Sequence, residues 1–208
     1  VAGIVTAAPG RFRQEGDNLY IQNATGNQGG IQLFGAGVRA PSPPLQEGDS
    51  IEVTGDLSNF NTESQLVNPR IAANVRRAVR TVVPVVLRTG QADSSRTPTN
   101  PLNLTTGANP LPAVLNGNIG RLIQYRRARV VTAATTGTPP SGANIEVTDG
   151  SSPVQAQVRI AGTTFTGIGI ARFVVGRCYD ITGVLGVFNN RPQLLPRTND
   201  DVVEVACP

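Results

Sequence analysis

The stretch GDSIEVTGDLSNFNTESQLVNPR, Gly48 to Arg70, recurs as GRCYDITGVLGVFNNRPQLLPRT, Gly176 to Thr198. Without a gap, the two windows share Gly48/Gly176, Thr54/Thr182, Gly55/Gly183, Leu57/Leu185, Phe60/Phe188, Asn61/Asn189, Gln65/Gln193 and Leu66/Leu194. An internal repeat constrains fold before any other feature does. Each window reads as strand, glycine, strand, a turn around Phe-Asn, and a further strand that breaks at Pro69 or Pro196, so each is a punctuated β-hairpin.

A chain of 208 residues has room for two units of roughly 90 residues and a linker. Gly (23) and Pro (16) are plentiful, and Val, Ile and Thr dominate the apolar segments, which favours short strands over helices. In the first repeat, strands are expected at Val1–Ala7, around NLYIQN, around IQLF, at Ser50–Leu57 and at Ser64–Val75. In the second they are expected at Arg121–Ala134, Asn144–Thr148, Val154–Ile160, Cys178–Leu185 and Gln193–Val205. Five short strands with a distinct third-to-fourth connection describe a Greek-key barrel of the OB type. The expected fold is therefore all-β: two tandem OB-like five-stranded Greek-key barrels, residues 1–75 and 117–208, joined by a basic and then Pro-rich linker, residues 76–116. Pro98, Pro101, Pro110 and Pro112 make that linker an extended, semi-stiff spacer.

The net charge is +4, and all 18 basic residues are Arg, with no Lys or His. Uniform Arg usage follows more simply from genome composition than from selection for a ligand. The charge is also unevenly placed. Residues 1–75 hold 4 Arg and 7 Asp/Glu, giving −3; residues 76–116 hold 5 Arg and 1 Asp, giving +4; residues 117–208 hold 9 Arg and 6 Asp/Glu, giving +3.

Cys178 and Cys207 are read as one disulfide that pins the last strand, the alternative being two buried free thiols. Closing a loop of about 30 residues stabilises the fold by roughly 3 to 4 kcal/mol in the chain-entropy model, and pairing implies an oxidising compartment. Sequons at Asn23 and Asn103 are compatible with glycosylation and a secreted surface. The chain opens at Val1 without a methionine or leader, as a mature secreted form would. No apolar run approaches the length of a membrane span.

The pattern GD-x-I-x-VTG-x-L followed by a turn and QL, together with YIQN and GGIQLF before it, resembles the OB-fold modules attached to bacterial secreted nucleases and other cell-surface enzymes. In the second repeat GRLIQYRRARVVTA and YDITGVLGVFNNRPQLLPRTNDDV resemble the companion module. The resemblance implies a non-catalytic, extracellular accessory architecture, with nucleic-acid binding a common assignment. Nothing in the chain matches the catalytic nuclease segment of that family.

Without His or Lys, the most usual general base, phosphate-binding amine and Schiff-base nucleophile are missing. No catalytic residue, metal site or cofactor is expected. The acidic clusters Glu15/Asp17, Glu47/Asp49/Glu52 and Asp200/Asp201/Glu204 lie at turns or strand ends, where solvated carboxylates are ordinary.

Two surfaces remain as binding candidates. OB barrels commonly bind on the outer face of strands two and three, where alternation places Tyr20, Gln22, Gln32 and Phe34 opposite the core-facing Leu19, Ile21, Ile31 and Leu33. Tyr20 and Phe34 either stack bases or pack beneath a loop or another domain. Arg121, Arg126, Arg127 and Arg129 either meet phosphates or lie over apolar surface and pair with acids. The preferred expectation is a secreted, non-catalytic structural subunit that self-associates head to tail through oppositely charged halves and exposed sheet edges. The alternative is a single-stranded DNA-binding module or the accessory domain of a secreted nuclease.

Overall fold

A computed structural model describes residues 1–23, 29–61, 63–92, 117–132, 135–136, 142–161, 167–189 and 191–208. Most of the Pro-rich linker and the Asn103 sequon lie outside the described residues.

The first repeat forms β1 (Ala2–Ala7), β2 (Asn18–Gln22), β3 (Gly30–Phe34), β4 (Ser50–Phe60) and β5 (Glu63–Ile71). These close in the order β1-β2-β3-β5-β4 and back to β1, the strand order of an OB barrel. After β6 (Val85–Leu87), the second repeat repeats the plan with β7 (Leu122–Val130), a two-residue β8 (Thr135–Thr136), β9 (Ala143–Thr148), β10 (Ala156–Ile160), β11 (Cys178–Phe188) and β12 (Arg191–Leu195). Here β7-β9-β10-β12-β11 closes through β11 on β7, and β13 (Val202–Val205) lies beside β11. The protein is thus two closed five-stranded barrels. Short 3₁₀ turns, Ala36–Arg39 and Ile170–Arg172, occupy the connections from third to fourth strand. No helix among the described residues is long and apolar enough to cross a membrane.

The repeated residues follow from this topology. Gln65 and Leu66 pair in parallel with Gln32 and Leu33, as Gln193 and Leu194 do with Gln157 and Val158. Period-2 alternation then sends each leucine into its own core and each glutamine to the opposite face. The shared glycines sit where two strands cross closely. A Cβ on Gly55 would lie 2.7 Å from the Val67 carbonyl oxygen, and one on Gly183 2.6 Å from that of Leu195.

Two strand boundaries differ from the sequence expectation. Pro69 does not end β5, because the pairing of β4 with β5 shifts register between Thr54 and Asp56, and Asn68 takes a positive φ of 51°. Proline is tolerated in such a bulge. In the second repeat the expected continuous strand from Gln193 to Val205 is divided after Leu195: Pro196 and a 3₁₀ turn at Asn199–Asp201 separate β12 from β13.

The disulfide joins Cys178 to Cys207 across 29 positions. It closes the end of β13 onto the start of β11, where Cys178 faces Val205.

Gly183→Ala is expected to lower stability by about 1–3 kcal/mol, as added volume does at a tight crossing, and to lower Tm in a calorimetric melt. An unchanged Tm would mean that the strands separate freely at this point.

Candidate functional site

The outer face of β2 and β3 is the surface from which an OB barrel would be expected to bind, and the second barrel covers much of it. Tyr20 is 1% exposed. It clusters with Ala7, Phe12, Val184 and Leu195, which come from both barrels, and its ring meets Phe12 edge-on at 5.7 Å. Alternation placed Tyr20 on the outer face correctly, but that face is interior, so a base cannot stack on it in this structure.

Gln22 is buried for the same reason: its Oε1 accepts from the Leu122 N–H at 3.0 Å. At the rim of this contact, the Gly30 N–H donates to the Ile119 carbonyl at 2.8 Å. The backbones are so close there that a Cβ on Gly30 would lie 2.1 Å from the Gly120 carbonyl oxygen. Gln32 and Phe34 are only half-buried. Phe34 carries the Arg13 guanidinium over its ring at 5.1 Å, a cation–π contact that occupies the stacking face.

Glu63, which the sequence did not flag, lies inside the same interface. Its Oε2 accepts from the Val187 N–H at 3.4 Å. Burial pushes the carboxyl up to about 7, against the opposing pull of the Tyr20 hydroxyl and the Val187 N–H. Burial and the neighbouring Glu63 in turn hold the Tyr20 hydroxyl well above its ordinary range. Arg197 closes the edge of the interface. It binds both Asp201 carboxylate oxygens, at 2.9 and 2.8 Å, and donates from Nη1 to the Thr6 carbonyl at 2.8 Å.

The arginines predicted to form one cluster divide into two groups. Arg121 is half-buried and donates to Asn118 Oδ1 at 2.7 Å, with burial lowering its pKa. Arg126, Arg127 and Arg129 remain exposed on β7, where Arg126 Nε donates to Gln124 at 3.1 Å. Elsewhere arginines are paired with acids: Arg11 with Glu47 at 2.7 Å, Arg13 with Asp17 at 3.1 Å, and Arg77 with Asp49 at 2.8 Å. Arg177 pairs with Glu204. These pairs account for much of the acidic clustering seen in the sequence. Among the described residues no group of three acids or cysteines could hold a metal ion.

The largest difference between the barrels lies on the shared hairpin. Leu57 is 60% exposed, whereas its repeat counterpart Leu185 is fully buried. Phe60 and Phe188 are 58% and 43% exposed. The hairpin tips that carry them touch, the Asn189 N–H donating to the Asn61 carbonyl at 3.0 Å.

No family model matches this chain, and no curated protein does. Among solved structures it is similar to a murine DNA-binding protein bound with double-stranded DNA, at 12% identity and a TM-score of 0.40, over 100% of this chain and 97% of that one. That likeness is too distant to bear on what this chain binds.

Glu63 makes the interface pH-dependent. Its folded pKa of about 7 lies above the ordinary 4.5, so the stability linked to its protonation is complete below about pH 4.5 and is lost as pH rises through 7. Glu63→Gln should match wild type near pH 4 and exceed it at pH 8 by up to about 3 kcal/mol, the free energy that separates a carboxyl at about 7 from one at 4.5, in denaturant melts. A constant difference across that range would contradict the assignment.

Proposed function

We propose that this protein is a non-catalytic, extracellular structural subunit whose work is to bind further copies of itself. The observation that carries this reading is the exposure of Phe60 and Phe188 on one pair of touching hairpins. Phe60 and Phe188 flank the touching pair Asn61 and Asn189, and exposed apolar side chains brought together in this way commonly mark an interaction site. The burial of Tyr20 and Gln22 takes these two residues of the first barrel's outer face away from any ligand in solution. The opposite net charges of residues 1–75 and 117–208 supply complementarity between subunits. The absence of His and Lys favours binding over catalysis, and the disulfide favours an oxidising compartment.

A second reading, single-stranded nucleic-acid binding, is favoured by the exposed heads of Arg126, Arg127 and Arg129 on one strand.

Light scattering on the full chain, across a concentration series at low and high salt, separates the two. Particle size should rise with protein concentration and fall with added salt. A monomer at every concentration and salt would refute self-assembly. Retention of single-stranded DNA on a filter at low salt, lost steeply as salt rises, would then favour the second reading.

A further inference from the structure

β7 does not keep strict alternation. Its pairing with β11 sets Tyr125 opposite Ile181 and Ala128 opposite Tyr179, so Arg126 and Arg127 together oppose Asp180 in a β-bulge. Unbroken alternation from Tyr125 would turn Arg127 and Arg129 toward the core. The extra residue resets the phase: Tyr125, Ala128 and Val130 enter the core, and Arg126, Arg127 and Arg129 are all exposed. The bulge holds Arg127 at a positive φ of 49°. Asparagine, as at Asn61, Asn68 and Asn189, tolerates that conformation, but a long side chain adopts it at a cost, and strain of this kind gathers at functional sites. Asp180 secures the bulge, its Oδ1 accepting from the Arg127 N–H at 2.8 Å.

Arg127 and Arg129 line a cavity of about 200 Å³, together with Thr148, Asp149 and the Cys178–Cys207 disulfide. Arg129 faces Thr148 on one neighbouring strand and Cys178 on the other, so the three stand in one cross-strand row. Thr148 Oγ1 accepts from the Gly150 N–H at 3.0 Å, which leaves its own O–H as a donor. The nearby carboxylates are held by uncharged donors. Asp149 accepts from Thr89 Oγ1 at 2.7 Å and from the Ser151 N–H at 2.9 Å, and Asp180 from the Arg127 backbone. Among the described residues no ion pair engages the Arg127 or Arg129 guanidinium.

We propose that Arg127 and Arg129, with the Thr148 hydroxyl, hold one tetrahedral oxyanion, a phosphate or sulfate group, in this cavity. Guanidinium forks match the oxygens of such a group in paired, charge-assisted bonds. The cavity is smaller than the roughly 300–1,000 Å³ of sites for larger ligands, so it admits a single small group. The tyrosines of the adjoining strands, Tyr125 and Tyr179, lie in the core, so neither offers a ring on which a base could stack beside that group. The site is separate from the hairpin tips of the self-assembly reading. It differs from the single-stranded nucleic-acid reading in holding one group and not a run of nucleotides.

The test is titration of the full chain, disulfide intact, with inorganic phosphate and with inorganic sulfate at low salt. NMR of the arginine Nε–H groups and the Thr148 amide reads binding, against chloride at matched ionic strength. Saturable shifts at Arg127, Arg129 and Thr148 are expected from the oxyanions and not from chloride. Arg127→Gln or Arg129→Gln should weaken binding by at least about tenfold, the loss expected for a charge-assisted bond. Arg126→Gln removes the same charge from the same strand but outside the cavity, and should weaken binding by less than about threefold. Arg127→Gly suits the left-handed backbone, so it should keep the wild-type Tm and lose the binding. Equal weakening by Arg126→Gln and Arg129→Gln, or equal shifts with chloride, would reduce the effect to the general field of the strand and overturn the site. Retention of single-stranded oligothymidine without binding of either ion would overturn it in favour of the nucleic-acid reading.

Discussion

The seam between the two barrels is built on Tyr20. Its ring is an outer-face residue of β2, yet it packs among Ala7, Phe12, Val184 and Leu195 from two barrels. Burying an aromatic of this size removes roughly 150–250 Å² of surface from water. The polar groups around it are matched across the same boundary, with Gln22 meeting Leu122, Glu63 meeting Val187 and Arg197 meeting Thr6. Gly30 and Gly120 permit the approach because neither carries a Cβ. The two repeats therefore form one packed body whose internal seam runs over the face that an isolated OB barrel would use for ligands.

The two repeats share their backbone geometry and differ in what covers it. Gly55 and Gly183, Gln65 and Gln193, and Leu66 and Leu194 serve the same crossing and the same parallel pairing in both barrels. Leu57 and Leu185 are also identical, but only Leu185 is enclosed. Identity at a repeat position thus reports a shared backbone, while a difference in burial reports a difference in what lies outside it.

The all-β class, the strand order and the disulfide were legible because hairpin punctuation, alternation and cysteine position are local signals. Pro69 was misleading because a bulge absorbs a proline that would end a regular ladder, and only the pairing partner reveals a bulge. Alternation assigned Tyr20 and Gln22 to the outer face correctly, but no local pattern says whether an outer face meets water or a neighbouring barrel. Glu63 left no sequence signal at all: a carboxylate beside a hairpin turn is ordinary until its contact with Val187, 124 positions away, is known. The arginine group was overestimated for a related reason, since Arg121 is engaged by Asn118 within its own turn.

The seam around Tyr20 joins the two barrels into one body. Methyl–aromatic NOEs in the full-length protein, recorded with and without a soluble paramagnetic agent, test it most directly. The structure predicts NOEs from the Tyr20 ring to the methyl groups of Val184 and Leu195, with the ring signals untouched by the agent. Absence of those NOEs, with Tyr20 broadened by the agent, would contradict it and return the β2–β3 face to solvent.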